Sequence, residues 1–112
     1  MKVFITGGTG FVGSYLLGRL IQEGHEVSVL SRTPREPLRE REWVHYVLGD
    51  STKPGDWQGR VPTHDLLINL AGASIFTYWS EKAKRAVLES RVLTTRNLVE
   101  AMSRSQREQV LL

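Results

Sequence analysis

Between Phe4 and Gly13 the chain reads FITGGTGFVG, with glycines at 7, 8, 10 and 13 set between two apolar runs. Glycine loses more backbone freedom on folding than any other residue, so such a cluster marks a place where the main chain must pass where a side chain would not fit. Lys2 to Thr6, just before it, is a short β-branched and aromatic run that reads as a buried strand. Beyond it the period changes. Phe11, Val12, Tyr15, Leu16, Leu20 and Ile21 recur at helical intervals as far as Gly24, so Gly10 to Glu23 reads as an amphipathic helix ended by glycine.

The remaining segments continue the alternation. His25 to Ser31 reads as a second strand and Val44 to Leu48 as a third, closed by Gly49 and Asp50. The polar stretch DSTKPGDWQGRVPTH, punctuated by proline and glycine, reads as a loop. It leads to Asp65 to Leu70, whose near-continuous apolar character is that of a strand buried on both faces. Ser80 can cap a helix running to about Arg104, with Ala83, Val87, Leu98, Ala101 and Met102 on one side and Arg85, Glu89, Arg96 and Glu100 on the other. Val110 to Leu112 begins one more strand. This order predicts an α/β fold, a Rossmann-type doubly wound parallel sheet truncated at the start of strand five, with residues 1–112 as one unit.

The glycines then fall at the first strand-to-helix turn, where ligands of such sheets bind outside the carboxyl ends of the strands. A helix opening there aims free N–H groups and the positive end of its dipole at a diphosphate. In Gly7-x-x-Gly10-x-x-Gly13 the first glycine permits the turn, the second admits the pyrophosphate and the third lets the helix lie on the strand. A P-loop would need Gly-Lys-Ser/Thr where this chain has Gly10-Phe11-Val12, so a dinucleotide is expected rather than a nucleoside triphosphate.

Composition narrows the function classes. The net charge is +3, but the 15 basic and 12 acidic residues are interspersed, which argues against a nucleic-acid partner. Even the densest run, RTPREPLRERE, mixes arginines with glutamates and prolines, as a solvated loop does. The chain has no cysteine, and His25, His45 and His64 are far apart, so no metal site is expected. No run approaches the length of a membrane span and no leader is apparent, which predicts a cytoplasmic protein without a membrane partner.

TGGTGFVG at Thr6 to Gly13, with NLAGA at Asn69 to Ala73, resembles the extended short-chain dehydrogenase/reductase family, which includes nucleotide-sugar epimerases and dehydratases. The longer run from Asn69 to Met102, with Trp79, Lys84 and Ser90-Arg91-Val92, looks like an epimerase-like branch of that family. The resemblance covers essentially the whole chain. It implies that Gly7, Gly10, Phe11, Val12 and Gly13 cradle the pyrophosphate, that Asp50 accepts a bond from the adenine amino group, and that Ala71 and Gly72 line the adenosine and ribose side. Many members have Asn where this chain has Arg91.

The resemblance also implies a Ser or Thr and a Tyr-x-x-x-Lys pair after strand five, beyond Leu112, together with a substrate-binding part. No catalytic residue is therefore assigned within the chain. Tyr78-Trp79-Ser80-Glu81-Lys82 fits the spacing but spans a loop and a helix start, and reads as a structural tyrosine and a solvated lysine. At the end of strand two, NAD-selective members carry an acidic residue; here stand Ser31, Arg32 and Thr33, which favours NADP over NAD. Two leading function classes follow, beside a weaker third, a nucleic-acid-binding domain using the basic helix residues. One is the cofactor-binding portion of an NADP-dependent epimerase or reductase, with a small-molecule substrate in the full-length protein and a second copy of the chain as a candidate partner. The other is a non-catalytic dinucleotide-binding regulator.

Overall fold

The computed structural model describes residues 1–7, 11–32, 43–70 and 81–112. Its elements in chain order are β1 (Lys2–Thr6), α1 (Phe11–Gln22), β2 (Glu26–Ser31), β3 (Val44–Leu48), a 3-10 helix (Asp56–Thr63), β4 (Leu66–Asn69), α2 (Glu81–Met102) and β5 (Val110–Leu111). All four strand pairings are parallel, in the order β3-β2-β1-β4-β5. This is the Rossmann-type arrangement the sequence predicts. Its strand order reverses direction between β1 and β4, the position where such sheets open a crevice at their carboxyl ends.

Period-two alternation divides the side chains of each strand between two cores. On one face Val3, Ile5, Val27, Val29, Val44 and Ile68 bury against Leu17 of α1, with Leu16, Leu20 and Ile21 at the margin. On the other, Phe4, Leu30 and Leu67 meet Trp57 and Val61 of the 3-10 helix and Leu98 and Ala101 of α2. Each fully buried side chain of this kind contributes about 1.5–3 kcal/mol, so removing either layer would expose more apolar surface than a chain of this size can tolerate.

Helix α1 stops where the sequence says it should. Gly24 adopts φ 83°, and its N–H bonds Ile21 O while the His25 N–H reaches Leu20 O. That pair of bonds satisfies carbonyls the last turn would otherwise leave open. In α2 the side expected to be apolar delivers Leu98 and Ala101 to the core, and Met102 packs beside them. Arg85, Glu89, Arg96 and Glu100 on the other side are exposed. Ala83 and Val87 side chains, like the expected cap at Ser80, lie outside the described residues.

The stretch read as a loop is the main departure. Asp56–Thr63 forms a 3-10 helix whose Trp57, Gln58 and Val61 are buried. Gly55 and Pro62 spoil the α-helical pattern, and the chain instead closes i to i+3 bonds, Gln58 N–H to Gly55 O at 3.1 Å and His64 N–H to Val61 O at 3.1 Å. The Gln58 side chain returns the bond, its Oε1 accepting from the Gly55 N–H at 3.2 Å. This short helix covers the sheet face between β3 and β4, and α2 packs beside it.

His64, just past that helix, is 4% exposed and edge-on to Phe4 at 5.3 Å. Its Nδ1 lies 2.7 Å from the Arg60 carbonyl, which can only accept, so Nδ1 carries the proton and Nε2 accepts from Ser28 Oγ at 2.8 Å. Burial holds the imidazole below its ordinary 6.5, outweighing the Arg60 carbonyl that favours the cation. With the folded value depressed, the unfolded chain binds the proton first, so stability is full above about pH 6.5 and falls as pH drops toward the folded value. Asp65 and Asp50, both held below 3.8, lose their contribution only in stronger acid. Denaturant titrations should show stability decreasing from about pH 7.5 to 5.5, with a flatter slope in His64→Gln. An unchanged slope in the variant would remove His64 as the cause.

Candidate functional site

Four strand ends converge at the carboxyl edge of the sheet. β1 runs out through Gly7, whose φ of 76° lies in the left-handed region where a side chain is strained. The described residues resume at Phe11 and Val12, the first residues of α1, so this helix begins four residues beyond Gly7. Gly13 is buried within the first turn. Gly10 lies outside the described residues, as do Thr33, Ala71, Gly72 and Tyr78, while Lys82 is exposed at the start of α2.

Across the crevice, Thr6 at the end of β1 is 1% exposed and donates from Oγ1 to Asn69 Oδ1 of β4 at 2.7 Å. Leu70 N–H bonds Thr6 O at 2.9 Å and extends the same pairing. These bonds hold the ends of the two parallel strands together at the carboxyl edge, where strand order reverses. Sequence reasoning placed Thr6 and Asn69 only as the first residues of two motifs and did not pair them. The signal was a polar residue ending each of two otherwise apolar strands.

On the β2 side, Ser31 is 7% exposed and its carbonyl accepts the Gly49 N–H at 2.9 Å. Arg32 next to it is exposed. Asp50 follows Gly49, and its Oδ1 accepts from the Thr52 hydroxyl at 2.7 Å and the Thr52 N–H at 2.9 Å. The two bonds from Thr52, chiefly the hydroxyl, hold the carboxyl below its ordinary value, helped by the positive charges of Lys53 and Arg32 and opposed by partial burial. Asp50 is thus a fixed carboxylate at neutral pH, with Arg32 near enough to feel it. Thr52 was legible in principle, because Asp followed two residues on by a hydroxyl residue favours this local turn.

The arrangement offers helix N–H groups at β1, an accessible guanidinium at β2 and an oriented carboxylate at β3. Those three chemistries suit an anionic group flanked by a second anion at one end and a hydrogen-bond donor nearby. Among the described residues no cluster of His, Asp or Glu could hold a metal ion. No described helix is long and apolar enough to cross a membrane.

Comparison with known proteins gives a consistent picture. The family model described as NAD dependent epimerase/dehydratase family matches residues 3–112. Epimerase family protein YfhF of Bacillus subtilis is 41% identical over 108 residues, which cover 96% of this chain and 34% of that protein. A chloroplastic homologue of epimerase family protein SDR39U1 from Arabidopsis thaliana is 30% identical over 111 residues, 96% of this chain and 31% of that protein. The chain therefore spans about a third of the length of these relatives. Among solved structures, human epimerase family protein SDR39U1 superposes with a TM-score of 0.71 at 30% identity, over 99% of this chain and 36% of that one. A short-chain dehydrogenase from Leptospira borgpetersenii shares the fold with a TM-score of 0.73 at 23% identity, over 92% of this chain and 44% of that one.

Gly49 ties the site to the core. A Cβ built there would stand 2.6 Å from Trp57 Cδ1 and 2.9 Å from Cγ, closer than real contacts allow. Because Trp57 is 3% exposed and its indole N–H bonds Lys53 O at 3.0 Å, the ring has little room to retreat. Gly49→Ala should cost about 1–3 kcal/mol of stability as overpacking does and should shift Trp57. Equilibrium unfolding and near-ultraviolet circular dichroism measure both; a variant as stable as the native chain would contradict the packing.

Proposed function

Because the chain belongs to the NAD dependent epimerase/dehydratase family, we propose that it is the dinucleotide-binding portion of an epimerase or reductase and that it prefers NADP to NAD. One observation carries the reading: a left-handed glycine just past the central strand, with a helix beginning four residues later, beside the point where strand order reverses. That geometry fits a pyrophosphate, since Gly7, Gly10 and Gly13 present no side chain there and α1 supplies N–H donors. Phe11 and Val12 contribute backbone N–H groups from the first turn. Ala71 and Gly72, which follow β4, would lie along the adenosine and ribose.

When bound, the nicotinamide supplies hydride exchange at a carbinol carbon. The chain's own residues hold and orient it. Asp50, ionised and fixed by Thr52, accepts from the adenine amino group. The full-length enzyme would carry its acid/base tyrosine and lysine outside this chain and would act on a nucleotide sugar. Support for the dinucleotide class comes from the human relative, whose structure was solved with NADPH.

The preference for NADP rests on Arg32. It is exposed at the end of β2, and the residues flanking it, Ser31 and Thr33, carry no carboxylate that would repel a 2′-phosphate. A planar guanidinium can pair with that phosphate through two parallel bonds. Such a charge-assisted bond is worth about 1.5–3 kcal/mol, so Arg32→Ala should weaken NADP binding about ten- to a hundredfold. NAD affinity should barely move. Calorimetric titration of both dinucleotides against native and variant chains checks this; equal losses, or tighter native binding of NAD, would sink the assignment.

A further inference from the structure

The hydrogen bonds that orient the Asp50 carboxyl come from Thr52, within the same turn, and so cannot by themselves locate that turn relative to the rest of the site. What anchors it is the neighbouring residue. Ser51 Oγ lies 2.9 Å from Thr94 Oγ1 of α2, and Ser51 O accepts from Asn97 Nδ2 at 2.9 Å. Asn97 O in turn accepts from Gln58 Nε2 at 3.0 Å, and Gln58 Oε1 closes back onto the Gly55 N–H at 3.2 Å. The chain of bonds runs from the Asp50 turn to α2 and on to the 3-10 helix, ending at its N-cap residue Gly55.

All four side chains are buried: Thr94 is 0% exposed, Gln58 2%, Asn97 4% and Ser51 9%. Their neighbours Leu98 and Ala101 show that apolar residues suit this face of α2. Polar groups at such positions cost free energy unless every bond is made, and a fully satisfied set fixes a single arrangement where hydrophobic packing would allow small slides. The spacing of 94 and 97 puts both side chains on one helix face, so they grip one residue from two directions. Consecutive Cα atoms are about 3.8 Å apart, so a shift of Ser51 carries Asp50 with it. A bond from an amino group needs a heavy-atom distance of about 2.7–3.2 Å, a tolerance of a few tenths of an ångström.

We propose that Thr94 and Asn97 are positioning residues that set the Asp50 carboxylate for recognition of the adenine amino group, so that specificity for the base is partly built into α2. The proposal rests on the dinucleotide reading above. Neither residue touches the base; each acts through Ser51.

The test compares NADP with its hypoxanthine analogue, which carries a carbonyl oxygen in place of the amino group, by calorimetric titration of the 112-residue chain. The native chain should prefer the adenine form by about tenfold or more, the value of one hydrogen bond to a charged group, and Asp50→Ala should abolish the preference. Asn97→Ala should bring the two affinities within about threefold of each other while affinity for the hypoxanthine form stays at the native value. The double variant Ser51→Ala, Thr94→Val should do the same; it removes both partners of one buried bond and strands no hydroxyl, so it guards against simple misfolding. Thr94→Ser keeps the hydroxyl and should retain the native preference. Equal weakening of both forms, with their ratio intact, would reduce the network to a purely structural one and overturn the proposal. A native chain that binds both forms equally overturns it as well and leaves the dinucleotide reading standing, whereas one that binds neither overturns that reading and this proposal together.

Discussion

The pairing of β1 with strands on both sides is the constraint on which the rest depends. Lys2 to Thr6 bonds β2 along one edge and β4 along the other, with Val3, Phe4, Ile5 and Thr6 almost wholly removed from solvent. A strand so enclosed has to send its apolar side chains to both faces, which calls for one helical layer above and another below. It also has to leave the sheet abruptly, because the next segment must climb onto one face while β4 lies alongside. Gly7 makes that exit. The anion-binding potential of the α1 amino end is thus a by-product of how a central parallel strand terminates, before any ligand is considered.

Much of this was legible in residues 2–31, since a β-branched run, a glycine turn and a helical period follow one another without ambiguity. β3, β4 and α2 were legible for the same reason, and the structure moves their ends by only a residue or two. Asp56–Thr63 was not. Trp57 and Val61 stand four apart among glycines, a proline and charges, so no periodic signal separates them from a loop with two incidental apolar residues. Their burial depends on a sheet face made by strands distant in sequence. The candidate site divides along the same line. Gly7, Arg32 and Asp50 follow strand ends and Gly13 lies in the first turn of α1, places that follow from local pattern. Thr6 with Asn69, and Ser51 with Thr94 and Asn97, are partners only in three dimensions, and a threonine within a helix carries no mark of what it will meet.

Two kinds of contact set the architecture and they do different work. The apolar layers supply most of the stabilising free energy and tolerate exchange of one hydrophobic residue for another of similar volume. The buried polar groups, His64 with Ser28 and Arg60, and Gln58 with Asn97 and Ser51, contribute less net stability per bond but admit one geometry. Both polar sets flank the 3-10 helix. A segment too short to be held by its own backbone bonds is held by the Gln58 side chain on the Asn97 carbonyl of α2, by His64 between Arg60 O and Ser28 of β2, and by Gln109 donating to Val61 O at 2.9 Å.

The two edges of β1 also differ in how far along the chain their partners lie. β2 is one helix away, whereas Thr6 and the Asn69 it bonds are separated by 63 residues. The closure entropy for the longer loop exceeds that for the shorter by less than about 1 kcal/mol, too little to matter once the sheet exists, but contacts of long sequence separation slow the search for it. During synthesis, β1, α1 and β2 emerge together and can associate, while the β4 edge of the same strand waits unpaired for its partner. The sheet is expected to grow outward from its amino-terminal half, with the carboxyl edge between β1 and β4, where strand order reverses, the last part of that edge to take shape.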